Sequence, residues 1–240
     1  MILPGFGKAG QRRLLKAKVL LIGAGGLGSP AGFYLAAAGV GTIGLVDFQK
    51  VSLSNLQRQI AHATSDIGRD KVRSASAAFK ALNPDVNIRE HKVKFTAENA
   101  RDILVGYDFV LDCTDNLESK FLIADACHFA RKPYSHAGIT GYNGQTMTVL
   151  PGKTACYRCI FNAPPVEKIV CGQAPVLGCV PAVIGSIQAA EAIKFFLGTG
   201  KLLTNRLLVF DALGMQFRTV QLRRNKKCPL CGSNKKRRRH

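Results

Sequence analysis

Apolar residues come in short unbroken runs through the first half of the chain, and between the runs their spacing changes to that of helices. Lys18–Gly23 (KVLLIG) reads as one strand and Thr42–Asp47 (TIGLVD) as a second. Neither alternates apolar with polar, which predicts strands buried on both faces of a sheet. Leu27–Ala38 reads as a helix between them, with Gly and Ala where it must lie close to the sheet. Asp70–Leu82 is a predicted helix with Asp70 in its first turn, suited to the helix dipole, and Asn83-Pro84 ends it. Val86–Phe95 alternates like a strand. Thr96–Val105 reads as a helix capped by Thr96, Tyr107–Cys113 as a strand and Leu117–Arg131 as a helix. Strand and helix therefore alternate, which predicts an α/β class with a doubly wound, mainly parallel sheet.

After Lys132 the pattern changes. Gly144–Leu150 and Arg206–Leu222 read as longer, antiparallel strands, with an apolar helix over Pro181–Leu197 between them. No internal repeat is visible. One domain is expected over residues 1–232, with halves at 1–131 and 132–232, and a basic, disordered tail over 233–240.

Composition alters this picture little. A hydrophobic content of 47% and a charged content of 20% over 240 residues suit one soluble core. The 28 residues Val19–Val46 carry no charge, long enough for a membrane span, but eight glycines divide them into strand, loop, helix and strand. The opening MILPGFGKAGQ lacks a signal-peptide layout. A cytoplasmic protein with reduced thiols and no membrane partner is expected. The formal net charge is +19, and nine Lys or Arg residues with no acid lie between Arg223 and Arg239. Such a run is either a solvated tail or a contact for an acidic partner. Of eight cysteines, four form two C-x-x-C pairs, Cys156/Cys159 and Cys228/Cys231. Four thiolates from two tight turns suit one structural zinc ion better than disulfides in this setting.

The candidate chemistry begins at the glycines. Gly23-x-Gly25-x-x-Gly28 follows the first strand, and Asp47 closes the second strand 19 residues on, where a ribose-binding acid belongs. This Rossmann-like fingerprint alone suits NAD, FAD or S-adenosylmethionine nearly as well as ATP. Asn55, Arg58 and Gln59 follow Asp47, and Lys71 opens the next helix. Several cations beside a glycine loop suit a triphosphate, whose leaving pyrophosphate must be held, better than a nicotinamide. Asp115, in VLDCTDN, lies just past another strand and so at the same sheet edge, where a carboxylate near phosphates is a natural magnesium ligand. Asp115 could instead cap the helix that follows, although Thr114 or Asn116 could do so as well.

GAGGLGSP, DFQKVSLSNLQRQ, DxxGRDKV, LDCTDN, CYRC and CPLC together resemble the ThiF/MoeB/HesA adenylyltransferases, bacterial relatives of ubiquitin-activating enzymes, from about Ile2 to Gly232. The resemblance implies attack of the C-terminal Gly-Gly carboxylate of a small ubiquitin-fold sulfur carrier on the α-phosphorus of Mg·ATP. The products are an acyl-adenylate and pyrophosphate, and a separate sulfur donor later completes a thiocarboxylate for thiamin, molybdopterin or a related route. It implies carrier binding by the 132–232 half, and a homodimer. It places Gly26 against the nucleotide, Asp47 on the ribose, Asp115 on magnesium with Asn116 beside it, and Ser54, Asn55, Leu56, Gln57 and Arg58 along the phosphates with Lys71. Cys171 matches a cysteine that some members use for thioester or persulfide chemistry. In the family an R-Y-x-R-Q segment precedes the stretch matched by ILPGFG, and the sequence begins after it. Pro175 and Cys179 depart from the usual residues, and a rhodanese-like domain, which some eukaryotic relatives have, is not expected here. The competing readings are a catalytically impaired, nucleotide-binding regulatory relative, a zinc-containing nucleic-acid binder and a dehydrogenase. The nucleic-acid binder leaves Asp47, Arg58, Lys71 and Asp115 without a role, and the dehydrogenase lacks an acid/base pair placed for hydride chemistry.

Overall fold

The computed structural model describes residues 6–161 and 175–232. Eight strands form one sheet in the order β3-β2-β1-β4-β5-β6-β7-β8. The parallel part comprises β1 (Lys18–Ile22), β2 (Thr42–Val46), β3 (Asn87–His91), β4 (Phe109–Asp112) and β5 (Tyr134–Thr140). The antiparallel part continues through β6 (Asn143–Val149), β7 (Arg206–Asp211) and β8 (Gln216–Gln221).

The unbroken apolar runs have the expected cause. Successive side chains of a strand point to opposite faces, and both faces of β1 are covered. Val19 and Leu21 pack with Leu35, Ile43, Phe79 and Ile184 on one side. Leu20 and Ile22 pack with Val46, Leu104, Val110 and Phe121 on the other. The first layer is made by α1 (Gly7–Lys16), α2 (Gly28–Ala37), α3 (Lys71–Leu82) and α7 (Cys179–Leu197). The second is made by α4 (Ala97–Val105), α5 (Leu117–Phe129) and the short α6 (Tyr157–Ile160).

Several boundaries differ from the sequence reading. Arg206–Leu222 is not one strand but the hairpin β7–β8, because the chain turns between Asp211 and Gln216, with Met215 at φ 48°. The strand expected over Val86–Phe95 pairs only along Asn87–His91, and Phe95 turns into the core instead. Asp70 stands at the N-cap of α3 rather than inside it, and its carboxylate pairs with Lys92 at 3.0 Å. Thr96 is the N-cap of α4, and Asn99 Oδ1 accepts its backbone N–H at 2.9 Å. Helix α7 is long and apolar enough to cross a membrane by length alone, but half of it is buried, against α2, β5 and β6. Its buried Glu191 accepts hydrogen bonds from the Thr148 hydroxyl and the Leu203 amide, both at 2.6 Å, and pairs with Lys194.

Candidate functional site

Strand order reverses between β1 and β4, each of which continues outward in a different direction. The loops at their C-terminal ends therefore splay apart and leave a crevice, the usual ligand position in open α/β sheets. A cleft of about 450 Å³ lies there. Its walls include Gly23, Gly25 and Gly26 after β1, Asp47 after β2, and Asp115 and Asn116 after β4. Arg58, Gln59 and Lys71 line it as well. Residues spread over almost a hundred positions are thus brought to one sheet edge.

The glycines act by closeness. Gly23 has φ 106°, and a Cβ on it would sit 2.6 Å from the Cys113 carbonyl oxygen. A Cβ on Gly28 would stand 2.1 Å from the Gly23 carbonyl oxygen. Gly28 does not line the cleft; it lets the start of α2 close on the loop.

Both oxygens of Asp47 brace the loops, accepting the amides of Ala24 at 3.0 Å and Gln49 at 2.9 Å. Each oxygen keeps capacity for a further donor such as a sugar hydroxyl. Lys71 is 4% exposed, and its Nζ donates to Gln49 Oε1 at 2.8 Å. Burial lowers its pKa, with Arg58 adding to the effect and Asp47 and Asp115 opposing it. A buried ammonium with one neutral partner is under-satisfied, and an anion in the cleft would supply what it lacks. Gln59 Oε1 is buried with no hydrogen-bond partner and calls for a bound donor. Arg58 donates to the Ser54 carbonyl at 3.1 Å.

Asn116, not Asp115, caps the helix. Asn116 Oδ1 accepts the Ser119 amide at 2.9 Å as the N-cap of α5, while Asp115 is exposed at the cleft. A carboxylate not used by the helix, facing a cleft with cations, has the hard oxygen donors that magnesium takes alongside phosphates. Ser54, Asn55, Leu56 and Gln57 are not among the residues that line the cleft. They form the adjoining turn, where Asn55 Oδ1 accepts the Ser52 amide at 3.2 Å. Cys171 lies outside the described residues, as does the basic stretch 233–240.

The sequence reading missed three buried groups under the cleft. Asp112 bonds His136 Nδ1 at 2.9 Å and Lys120 Nζ at 3.3 Å, and all three are almost fully buried. Their one signal is a charge inside the apolar run FVLDC, which requires a partner but does not say where that partner lies.

Outside the cleft lining, the sulfurs of Cys156, Cys159, Cys228 and Cys231 lie within 4.8 Å of one another and could hold a metal ion. Neighbouring pairs are 3.4, 3.6 and 3.8 Å apart. A tetrahedral cage with Zn–S bonds of about 2.3 Å spaces its sulfurs about 3.8 Å apart, so the donor set and its size suit zinc. Backbone amides of Asn225 and Cys231 point at the sulfurs of Cys159 and Cys228, at 3.4 and 3.5 Å.

Comparison with known proteins agrees with this geometry. The model of the ThiF family matches residues 1–230. A sulfur carrier protein adenylyltransferase of Thermus thermophilus is 45% identical over 239 residues, covering 97% of this chain and 88% of the relative. The SAMP-activating enzyme E1 of Haloferax volcanii is 42% identical over 234 residues, covering 97% and 86%. Among solved structures, E. coli MccB with ATP superposes with a TM-score of 0.83 at 24% identity, covering 93% of this chain and 69% of that one; the likeness is one of fold.

Proposed function

The chain belongs to the ThiF family, and from that premise we propose that it uses ATP to adenylate the C-terminal Gly-Gly carboxylate of a small ubiquitin-like sulfur carrier. The observation that carries this reading is the meeting of Arg58, Lys71, Asp47 and Asp115 on one sheet edge around a glycine loop. Cations placed there suit a triphosphate, whose leaving pyrophosphate must be held, better than a nicotinamide.

The nucleophile is a carboxylate and already an anion, so the site needs no general base. What it must supply is placement and charge neutralisation. The loop Gly23–Gly28 admits the nucleotide backbone, and Asp47 receives the ribose. Arg58 and Lys71 offset the charge that gathers on the leaving pyrophosphate. Asp115 would hold Mg²⁺, which when bound neutralises phosphate oxygens and orients the leaving group. The four-cysteine cluster is read as a closed structural zinc site, which ties the end of the chain to α6 and takes no part in the reaction. Sulfur comes from a separate donor protein, and the enzyme works as a cytoplasmic homodimer. Cys171 is the candidate thiol for a later thioester or persulfide step.

Lys71→Ala tests the site. It removes the under-satisfied ammonium and should lower carrier-dependent ATP–pyrophosphate exchange by about 100-fold, the scale of losing one transition-state charge donor. Circular dichroism should show the fold intact. Wild-type exchange in this variant would overturn the phosphate assignment.

A further inference from the structure

Beneath Asp115 lies a polar cluster that the reaction does not call for. Asp112 is 1%, Lys120 6% and His136 1% exposed. Burying charge costs several kcal/mol per ion unless close partners offset it, and apolar side chains of similar volume often serve stability as well or better. The contacts of the cluster converge on one short turn. Asp112 Oδ1 accepts both the backbone amide and the hydroxyl of Thr114, at 3.1 and 2.7 Å. From the other side, Lys120 Nζ donates to the Thr114 carbonyl at 2.7 Å and to the Ala137 carbonyl at 2.6 Å, and its charge faces Asp112. An ammonium has three donors, and here it finds acceptors on three residues, Asp112, Thr114 and Ala137. Thr114 is thus held by its amide, its hydroxyl and its carbonyl. Asn116 is held as the cap of α5, and its Nδ2 lies 3.4 Å from Asp115 Oδ1. Asp115 sits between two immobilised neighbours, its own carboxylate exposed at the cleft.

We propose that Lys120 is a positioning residue: with Asp112 it clamps the Thr114–Asn116 turn and so aims the Asp115 carboxylate at the metal–phosphate end of the nucleotide. The identity of that ligand rests on the function proposed above. The clamp itself rests on the contacts. Lys120 lines the cleft without needing to touch the nucleotide, because its Nζ is fully engaged.

Calorimetry of ATP binding, with Mg²⁺ and with excess EDTA, tests the proposal. In the wild type, Mg²⁺ should strengthen ATP binding. Lys120→Met should reduce that enhancement by about tenfold, the lower end of what partners behind a metal ligand contribute. Affinity in EDTA should change by less than a factor of about three. Asp115→Ala should do the same, and the double variant should lose no more than either single one, since both act through one contact. Equal losses with and without Mg²⁺, or losses that multiply in the double variant, would overturn the proposal and leave Lys120 a structural residue. Should Lys120→Met not fold, Thr114→Val carries the same test, because it leaves no buried charge unpaired; an unchanged Mg²⁺ enhancement there would equally overturn it. Mg²⁺-dependent ATP binding without carrier adenylation would refute the functional reading alone. Adenylation with an unaltered Mg²⁺ enhancement in Lys120→Met would refute the clamp alone. A wild type that binds no ATP would refute both.

Discussion

At the scale of residues, the cleft is held by groups of two kinds, and only one kind is legible in the sequence. Gly23, Asp47, Arg58, Lys71 and Asp115 stand at motif spacings and end at one sheet edge. Asp112, Lys120 and His136 stand at no such spacing; two strands, β4 and β5, and the helix α5 bring them together, which no local pattern records. Asp112 makes a pH prediction. Burial would raise its pKa, but Lys120, His136 and the Thr114 hydroxyl outweigh burial and hold it at about 2. The unfolded chain therefore binds this proton more readily than the folded one. The stabilisation is complete above the unfolded value of about 4 and is lost as pH falls from there toward about 2. Urea denaturation between pH 5 and 3 should show falling stability, with a shallower fall in Asp112→Asn. At pH 7 that variant should be less stable by ~3 kcal/mol, because Lys120 loses its counter-charge in the core. Wild-type stability in Asp112→Asn would contradict the account. Gly28→Ala is a second case. Its methyl would meet the Gly23 carbonyl oxygen, so a loss of ~2–3 kcal/mol and weaker ATP binding are expected. Unchanged melting and binding would show that the loop can move aside.

At the scale of elements, runs with a clear period are legible and those without one are not. β1, β2, β4 and α2 to α5 lie close to their expected places because the strands are single apolar runs and the helices fill the stretches between them. β5, Tyr134–Thr140, escaped notice: YSHAGIT neither alternates nor stays apolar, since Ser135 and His136 are buried polar residues held by tertiary contacts. α1 was unread as well, its buried face being only Gly10 and Leu14. The two C-x-x-C pairs were legible as four ligands, and their meeting across 68 residues follows from the return of the chain through β8 to α6. Arg158 adds a second tie, pairing with Asp125 of α5 through two contacts at 2.6 and 2.8 Å. Cys228→Ser should lose the metal and lower the melting temperature by about 6–12 °C, the shift for ~3 kcal/mol in a domain of this size. Atomic emission on freshly purified, reduced protein gives the metal content. Absence of zinc from the wild type would refute the structural-zinc reading.

At the scale of the whole molecule, the doubly wound sheet was legible, and with it a reversal of strand order; that the reversal falls between β1 and β4 is seen in the structure, and it opens the cleft there. The net charge of +19 also acts at this scale. If the carrier is acidic, its association rate should fall by about tenfold or more between low and high salt, while ATP affinity changes far less. Stopped-flow mixing over a salt series reads both, and a salt-independent association rate would assign the charge to some other partner. The central claim is narrower than any of these: a cleft that gathers Arg58, Lys71, Asp47 and Asp115 on one edge of a mixed sheet activates a Gly-Gly carboxylate with ATP. The most direct measurement is ATP–pyrophosphate exchange with a small ubiquitin-like carrier, compared with the same carrier lacking its final glycine. The account predicts exchange that requires Mg²⁺ and the intact carrier, together with a carrier-adenylate visible by intact-protein mass spectrometry. Exchange that proceeds equally with the truncated carrier, or its absence with an intact carrier that binds the enzyme, would contradict it.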